Sequence, residues 1–504
     1  MPGFMNGWIA GALAFTALSV AAGSEPVDPW HQSGQAALHR ALAKQANTAR
    51  AKNVIVFLGD GMSIATINAA RIYDGQQRGE SGEENQLSFE TFPYSGLVKT
   101  YNTDAMVPDS AGTMSAIMTG VKTKAGIVSL DDGVSYDQCD GPTAHNVATG
   151  LELAERAGKA TGVISTTRLT HATPAATYAH SANREWENDA AMSAAARENG
   201  CVDIALQFLT FASGDGVDVA LGGGRENFFG RAQADTEYPD KTGARADNND
   251  LINAWQMQHP QGQYVWNREQ FVALDLNKTK KLLGLFEPSH MRYESDRESG
   301  NEPSLSEMTK AALTILKQNK KGYFLMVEGG RIDHAHHGGN ARNALNETVE
   351  FARAVQTAVD LSSDKDTLII VTADHGHTLS LAGDVVRRGN PILGLAQGIE
   401  VEHDEHPIRR DLNGKPYAIL NYINGPGFGE LFGAPKTAYD RIDLSQVDTS
   451  AWLHRQEALI PLKSESHSGE DVAVYARGPW SHLFTGTIEQ HALFHFYLHS
   501  MQLK

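Results

Sequence analysis

Val327-Glu328-Gly329-Gly330-Arg331-Ile332-Asp333-His334-Ala335-His336-His337 crowds two carboxylates and three imidazoles into eleven residues. If its second half is helical, Asp333 and His337 stand four apart on one helix face, where a carboxylate oxygen and a ring nitrogen can grip one ion. A His-rich loop that binds nothing is the bland alternative, and Glu328 at the end of an apolar run weighs toward metal. Asp374-His375-Gly376-His377 repeats the pairing after a second apolar run, and Gly59-Asp60-Gly61 puts another acid after a third. Carboxylate with imidazole suits Zn²⁺, whereas carboxylates, a hydroxyl and water suit Mg²⁺. His467, in Glu465-Ser466-His467-Ser468-Gly469-Glu470, is a candidate last ligand, although spacing alone does not select one His among 20.

A nucleophile candidate is Ser110, in Val107-Pro108-Asp109-Ser110-Ala111-Gly112-Thr113-Met114-Ser115-Ala116. Pro and Asp ahead of a helix-favouring run put Ser110 at a helix start, where backbone N–H groups and the positive dipole end suit a phosphate and an attacking alkoxide. On this motif alone an ordinary helix N-cap is the better reading.

These groups need elements that end in one place. Val54-Ile55-Val56-Phe57-Leu58 is a continuous apolar run that stops at Gly59-Asp60-Gly61, the pattern of a buried parallel strand ending in a loop. Similar runs are Thr161-Gly162-Val163-Ile164, Tyr323-Phe324-Leu325-Met326-Val327, Leu368-Ile369-Ile370-Val371 and Val472-Ala473-Val474-Tyr475. Helical patterns lie between them, for instance Leu345 to Leu361, with apolar residues at Leu345, Val349, Ala352 and Val359. The predicted fold class is therefore α/β, with a central, mostly parallel sheet sandwiched by helices. Three strands end in an acid, namely Asp60, Glu328 and Asp374, and ligands of open parallel sheets bind outside the carboxyl ends of the strands. Each acid taken singly is more often a turn or helix cap.

Residues 51–379 and 461–504 are expected to form this core. The stretch 380–460, rich in Gly, Pro and Asn, reads as an insertion on it rather than an independent domain, and 23–50 as a helical N-terminal arm. Met5 to Ser24 is uncharged and ends in small residues, so that 1–22 reads as a secretory signal cleaved after Ala22. Its lack of Lys or Arg leaves a surface or oligomer-contact helix as the alternative. No later apolar run is long enough to span a bilayer. Cys139 and Cys201 are the only cysteines: one disulfide in an oxidising compartment, or buried thiols in the cytosol.

Of the 504 residues, 43 are Lys or Arg and 60 are Asp or Glu, a net charge of −17 that excludes a general nucleic-acid-binding surface. That field also repels a phosphate ester, so an anion site must supply its own positive charge from metal ions and a well-placed Arg.

Several motifs together resemble the alkaline phosphatase family, in particular the animal enzymes and their marine-bacterial relatives, from about Lys52 to the C-terminus. They are Gly59-Asp60-Gly61-Met62, Pro108-Asp109-Ser110-Ala111-Gly112-Thr113, His171-Ala172-Thr173-Pro174, Tyr178-Ala179-His180, Glu328 through His337, Thr372-Ala373-Asp374-His375 and His467-Ser468-Gly469-Glu470-Asp471. The resemblance implies a phosphate-monoester hydrolase with two zinc ions, one magnesium ion and a phosphoserine intermediate. One zinc would be held by Asp333, His337 and His467, and the second by Asp60, Asp374 and His375. Magnesium would take Asp60, Thr173 and Glu328, with His171 nearby through water. Ser110 would be the nucleophile, Arg184 a bidentate clamp on two phosphate oxygens, Asp109 the positioner of Arg184, and His334 a neighbour of the phosphate. The resemblance further implies a Cys139–Cys201 disulfide and an extra calcium site at Glu237, the Phe286 carbonyl, Glu287 and Glu302. A crown-type role for 380–460 and a homodimer follow from it too, while the secretory segment implies export to the periplasm or the medium. Runner-up readings are a phosphodiesterase or sulfatase on the same scaffold, and a metal- or phosphate-binding protein without activity. Ser110-Ala111-Gly112-Thr113 lacks the sulfatase context, and no nucleophile or ligand is lost.

Overall fold

Seven consecutive residues from Asn53 to Gly59 are buried on both faces, so this strand has to lie in the interior of a sheet. The computed structural model describes residues 28–297, 300–381, 383, 385–399, 405–427 and 441–503, with Gly3. The predicted secretory segment, 1–22 with cleavage after Ala22, lies outside the described residues apart from Gly3.

The chain forms two units, divided after Gln45. In the first, Pro29–Leu42 is a helix that Asp28 caps by accepting from the Trp30 amide at 2.7 Å. None of its residues is buried. It is shorter than the arm expected to reach Arg50. Asn47 accepts from the Ala49 amide at 3.0 Å, a local turn that competes with helix.

The second unit is built on a ten-stranded sheet. In chain order its strands include β1 (Asn53–Gly59), β2 (Tyr94–Lys99), β3 (Ala160–Arg168), β4 (Val219–Gly223), β5 (Gln263–Val265), β6 (Leu282–Leu285), β7 (Tyr323–Gly329) and β8 (Thr367–Ala373), followed by Val472–Arg477 and Gly486–Glu489. Across the sheet the order is Gly486–Glu489, β2, Val472–Arg477, β8, β1, β7, β3, β4, β6, β5. Val472–Arg477 runs antiparallel to both its neighbours, and every other pairing is parallel. The fold is thus α/β with a mostly parallel central sheet and flanking helices. The apolar runs in β1, β7 and β8 are buried throughout, the signature of a sheet covered on both faces.

Two helices matter most for the site. Ser110–Thr119 is buried at all ten positions, and its hydroxyls bond inward: Ser115 Oγ donates to the Ala111 carbonyl at 2.7 Å and Thr119 Oγ1 to the Ser115 carbonyl at 2.7 Å. Ala341–Leu361 begins four residues before the expected Leu345. Asn340 caps it by accepting from the Asn343 amide at 3.0 Å, and the first turn carries only the small apolar residues Ala341 and Ala344, a weak periodic signal.

Leu379–Leu381, Leu420–Gly425 and Ala458–Pro461 make a three-stranded sheet within the stretch 380–460 and its margins. Ile392, Ala396, Leu420 and Tyr422 of this stretch belong to the same hydrophobic core as β1 and β7. Cys139 and Cys201 form a disulfide across 62 residues, amid a smaller apolar cluster that holds Ile127, Leu130 and Trp186.

Candidate active site

The carboxyl ends of β8, β1 and β7 are side by side, with Gly59 in register with both Ala373 and Gly329. Asp374, Asp60 and Glu328 are therefore delivered from three adjacent strands, about 5 Å apart per strand, and all three are fully buried. Gly61 follows Asp60 with φ +66°, and a Cβ there would sit 2.3 Å from the His377 ring, so the turn requires glycine.

One group collects Asp333 and His337 from the helix Arg331–His337 with His467 from a two-residue strand that pairs with Gly376–His377. His337 Nε2 and His467 Nε2 each lie 3.4 Å from Asp333 Oδ1 and 3.1 Å from each other. Donors about 2.0 Å from a tetrahedral zinc stand about 3.3 Å apart, so the set has the size of that ion. The tautomers agree. His337 Nδ1 donates to the Glu465 carbonyl at 2.5 Å and His467 Nδ1 to the Pro108 carbonyl at 2.8 Å, which leaves both Nε2 lone pairs facing Asp333.

His377 also reaches this group, with Nε2 2.7 Å from Asp333 Oδ1, but its Nδ1 lies 2.5 Å from Glu465 Oε2. A ring held between two carboxylates carries a proton on each nitrogen and has no lone pair for a metal. Burial alone would lower its pKa, but the hydrogen bonds to Asp333 and Glu465 outweigh burial and push it up to about 10. The motif Asp374-His375-Gly376-His377 displayed this residue without revealing its role.

A second group joins Asp60, Asp374 and His375, with His375 Nε2 3.5 Å from Asp60 Oδ1 and 3.2 Å from Asp374 Oδ2. The His375 and His467 rings stack with centroids 3.6 Å apart, so the two groups are neighbours. The other Asp60 oxygen, Oδ2, is 3.4 Å from Thr173 Oγ1, and Asp60 and Glu328 fall in a third set with His171. Asp60 thus faces two sets with its two oxygens. Arg184 can only donate to His171 Nε2, at 3.1 Å. The His171 proton is therefore on Nδ1, and the ring stands beside this set rather than binding a cation directly.

The electrostatics favour cations here. Burial raises Asp60 well above the ordinary carboxylate range, and the charges of Asp374, Asp333 and Glu328 raise it further. Glu328 is pushed up to about 7, chiefly by burial, and its Oε1 is buried with no protein partner. Such a cluster is stable as carboxylates only beside compensating positive charge. Oxygen donors with the Thr173 hydroxyl fit magnesium, and the two imidazole–carboxylate sets fit zinc.

Ser110 is the first residue of its helix, while Asp109 is the N-cap and accepts from the Gly112 amide at 3.1 Å. The Ser110 hydroxyl does not cap. Its Oγ lies 3.1 Å from His375 Nε2 and 3.5 Å from Asp60 Oδ1. Asp109 Oδ2 accepts from Arg184 Nη1 at 3.0 Å and from the Gly126 amide at 2.9 Å. Burial would raise the Asp109 carboxyl, but the Arg184 charge and the Gly112 and Gly126 amides outweigh it and hold it below its usual value. A guanidinium has five N–H donors. Arg184 commits one on Nη1 to Asp109 and one on Nη2 to His171, and its Nε faces Glu185 at 3.6 Å. One N–H on each terminal nitrogen remains, a fork that fits two phosphate oxygens.

His334 accepts from Arg331 Nη1 at 3.0 Å, and its ring centroid is 5.7 Å from His171 and 4.2 Å from His290, a neighbour that no motif indicated. Burial drives His334 down to about 3, so it is a neutral ring. The acids matched to a calcium site lie beside arginines. Glu237 Oε2 pairs with Arg225 Nη2 at 3.1 Å, Glu287 Oε1 with Arg292 Nε at 3.0 Å, and Glu302 Oε1 accepts from the Arg292 amide at 2.7 Å. Among the described residues, the side chains of Glu237, Glu287 and Glu302 form no set with carboxylate oxygens within 4.8 Å of one another. Guanidinium groups pair with Glu237 and Glu287, while Glu302 Oε2 is buried with no protein partner.

A family model described as alkaline phosphatase matches residues 51–503. The chain is 46% identical over 473 residues to the tissue-nonspecific alkaline phosphatase of Gallus gallus, covering 92% of this chain and 88% of that one. It is 42% identical over 472 residues to an alkaline phosphatase of Gadus morhua, covering 92% and 95%. Among solved structures it resembles the alkaline phosphatase of Thermus thermophilus, with TM-score 0.64 and 24% identity over 92% of this chain and 94% of that one. It also resembles that of the Antarctic bacterium TAB5, with TM-score 0.60 and 22% identity over 91% and 100%.

Proposed function

The chain belongs to the alkaline phosphatase family, and we propose that it hydrolyses phosphate monoesters through a phosphoserine on Ser110, with two zinc ions and one magnesium ion as cofactors. Asp333, His337 and His467 would hold one zinc, Asp60, Asp374 and His375 the other, and Asp60, Thr173 and Glu328 the magnesium. The carrying observation is the position of Ser110 Oγ, at the start of a buried helix and 3.1 Å from His375 Nε2, beside carboxylates that need divalent charge. When bound, the ions lower the pKa of the attacking hydroxyl and of water and stabilise the departing oxygen.

The chain's own residues do the rest. Ser110 Oγ, its proton given up to solvent, bonds to phosphorus as the ester P–O bond breaks, and the leaving oxygen departs on the opposite side and takes a proton from water to become the alcohol. Arg184 binds two non-bridging oxygens with its remaining fork, held by Asp109 and His171. The first-turn amides after Asp109 and the helix dipole favour the same negative charge. Water then attacks phosphorus from the side the alcohol left, the Ser110 Oγ–P bond breaks, and inorganic phosphate departs. Turnover is expected to rise with pH as the nucleophiles ionise.

Export is part of this reading and is supported by the Cys139–Cys201 disulfide, which suits an oxidising compartment. No described helix is long and apolar enough to cross a membrane. A homodimer is also proposed, since Ile423, Leu453, Leu459 and Leu462 are exposed apolar residues that a second copy would cover.

The test is p-nitrophenyl phosphate hydrolysis at alkaline pH before and after EDTA, with zinc and magnesium restored separately and together. A Ser110→Ala variant, a phosphodiester and a sulfate ester run alongside. Activity on the monoester that needs both metals and Ser110 is expected. Indifference to EDTA or to Ser110 refutes the mechanism, and a faster diester or sulfate ester refutes the substrate class.

A further inference from the structure

We infer that Glu465 is a positioning residue that sets the affinity of the Asp333, His337 and His467 group for its ion. The inference rests on the reading that this group holds a zinc.

Glu465 is 1% exposed and belongs to none of the three candidate ion groups among the described residues, yet it ties together the three chain segments that meet at the group. Its Oε2 accepts from His377 Nδ1 at 2.5 Å, and His377 in turn donates from Nε2 to Asp333 Oδ1 at 2.7 Å. Its Oε1 accepts from both the amide and the hydroxyl of Thr378, at 2.7 and 2.6 Å, which fixes the plane of the carboxylate. Its main chain is bonded twice to His337: the Glu465 amide donates to the His337 carbonyl at 3.0 Å, and the Glu465 carbonyl accepts from His337 Nδ1 at 2.5 Å. Two residues on, His467 completes the set.

The side chain thus orients Asp333 through His377, and the backbone orients His337 and fixes its tautomer. A carboxamide has one acceptor oxygen and cannot accept from both His377 Nδ1 and the Thr378 amide, so the anchor on the Nδ1 side is weakened and His377 can turn. Asp333 Oδ1 then loses the donor that aims it between His337 and His467. The group built from Asp60, Asp374 and His375 has no contact with Glu465 in this network, so the effect is confined to one ion. Partners of this kind, one bond behind the ligands, alter metal affinity by about 10- to 100-fold in other metal sites.

The experiment uses full-length, zinc- and magnesium-loaded wild type, Glu465→Gln and Thr378→Val. Zinc release to a chromogenic chelator is followed in time, the amplitudes count ions per chain, and thermal unfolding is recorded for each loaded protein. In Glu465→Gln one of two zincs is expected to leave about 10- to 100-fold faster while the other keeps the wild-type rate. Reactivation of chelated protein should need correspondingly more free zinc. Thr378→Val removes the hydroxyl and keeps the amide, so it should shift the same ion in the same direction by a smaller factor. It carries the test alone if Glu465→Gln does not fold. Wild-type release rates in the variants, or equal acceleration of both ions, overturn the inference. A wild type that binds no zinc overturns the underlying reading instead.

Discussion

Replacing Arg184 by lysine tests the phosphate clamp in the terms in which the site is built. Arg184 has one N–H left on each terminal nitrogen after it has bonded Asp109 and His171, and a phosphate accepts both. A lysine keeps the charge but concentrates it at one nitrogen, which cannot serve Asp109 and two phosphate oxygens in the same geometry. At least one charge-assisted hydrogen bond, about 1.5–3 kcal/mol, is lost. At 1.36 kcal/mol per factor of ten, kcat/KM for p-nitrophenyl phosphate should fall about 10- to 150-fold in Arg184→Lys. Arg184→Ala loses both bonds and the charge and leaves the half-buried Asp109 without its ion-pair partner, so a fall of about 10²- to 10⁴-fold is expected. Inorganic phosphate uses the same fork, so its competitive inhibition constant should rise in both variants. Steady-state kinetics with phosphate as inhibitor, on enzyme whose zinc and magnesium content is verified, decide the matter. A lysine variant within threefold of wild type, or a fall in kcat/KM with unchanged phosphate inhibition, refutes the clamp.

Three further outcomes are expected. Burial, and then mutual repulsion, raise the pKa values of Asp60 and Glu328 in the metal-free protein, so that the folded state holds protons the unfolded chain releases. Chelated protein should therefore lose stability as pH rises from about 4.5 through about 7, whereas loaded protein should not; a pH-independent melting temperature after EDTA contradicts this. Burial pushes Glu155, which accepts from Thr161 Oγ1, up to about 8. Glu155→Gln should stabilise the fold on the order of 2–4 kcal/mol at pH 9.5 and give no gain below about pH 4.5, as read from denaturant midpoints. Finally, the Cys139–Cys201 bond closes a 62-residue separation. Its removal by Cys139→Ala with Cys201→Ala should cost about 4 kcal/mol on the chain-entropy account, and an unchanged midpoint would rule that contribution out.

The parts of the site that rest on local pattern were legible in the sequence. Continuous apolar runs identified β1, β7 and β8, because a strand buried on both faces has no polar side to show. The acids at their ends then stood out as Asp60, Glu328 and Asp374, and helical spacing paired Asp333 with His337. Roles for single residues such as Arg184 and Thr173 came from motif resemblance, since nothing in their immediate neighbours selects them.

Tertiary structure decided what local pattern leaves degenerate. The order β8, β1, β7 brings together acids from positions 374, 60 and 328, and strand order is set by non-local pairing that no short window contains. Ser110 could have been a helix cap; Asp109 takes that place, so the serine hydroxyl points at His375 and Asp60. His377 and His467 are the same side chain, both within reach of Asp333. Glu465 occupies the far nitrogen of His377, and the Pro108 carbonyl leaves the lone pair of His467 free. A side chain's chemistry is fixed by its type, but which of its atoms remains available is fixed by the partner on its other side, and folding brings that partner from elsewhere in the chain.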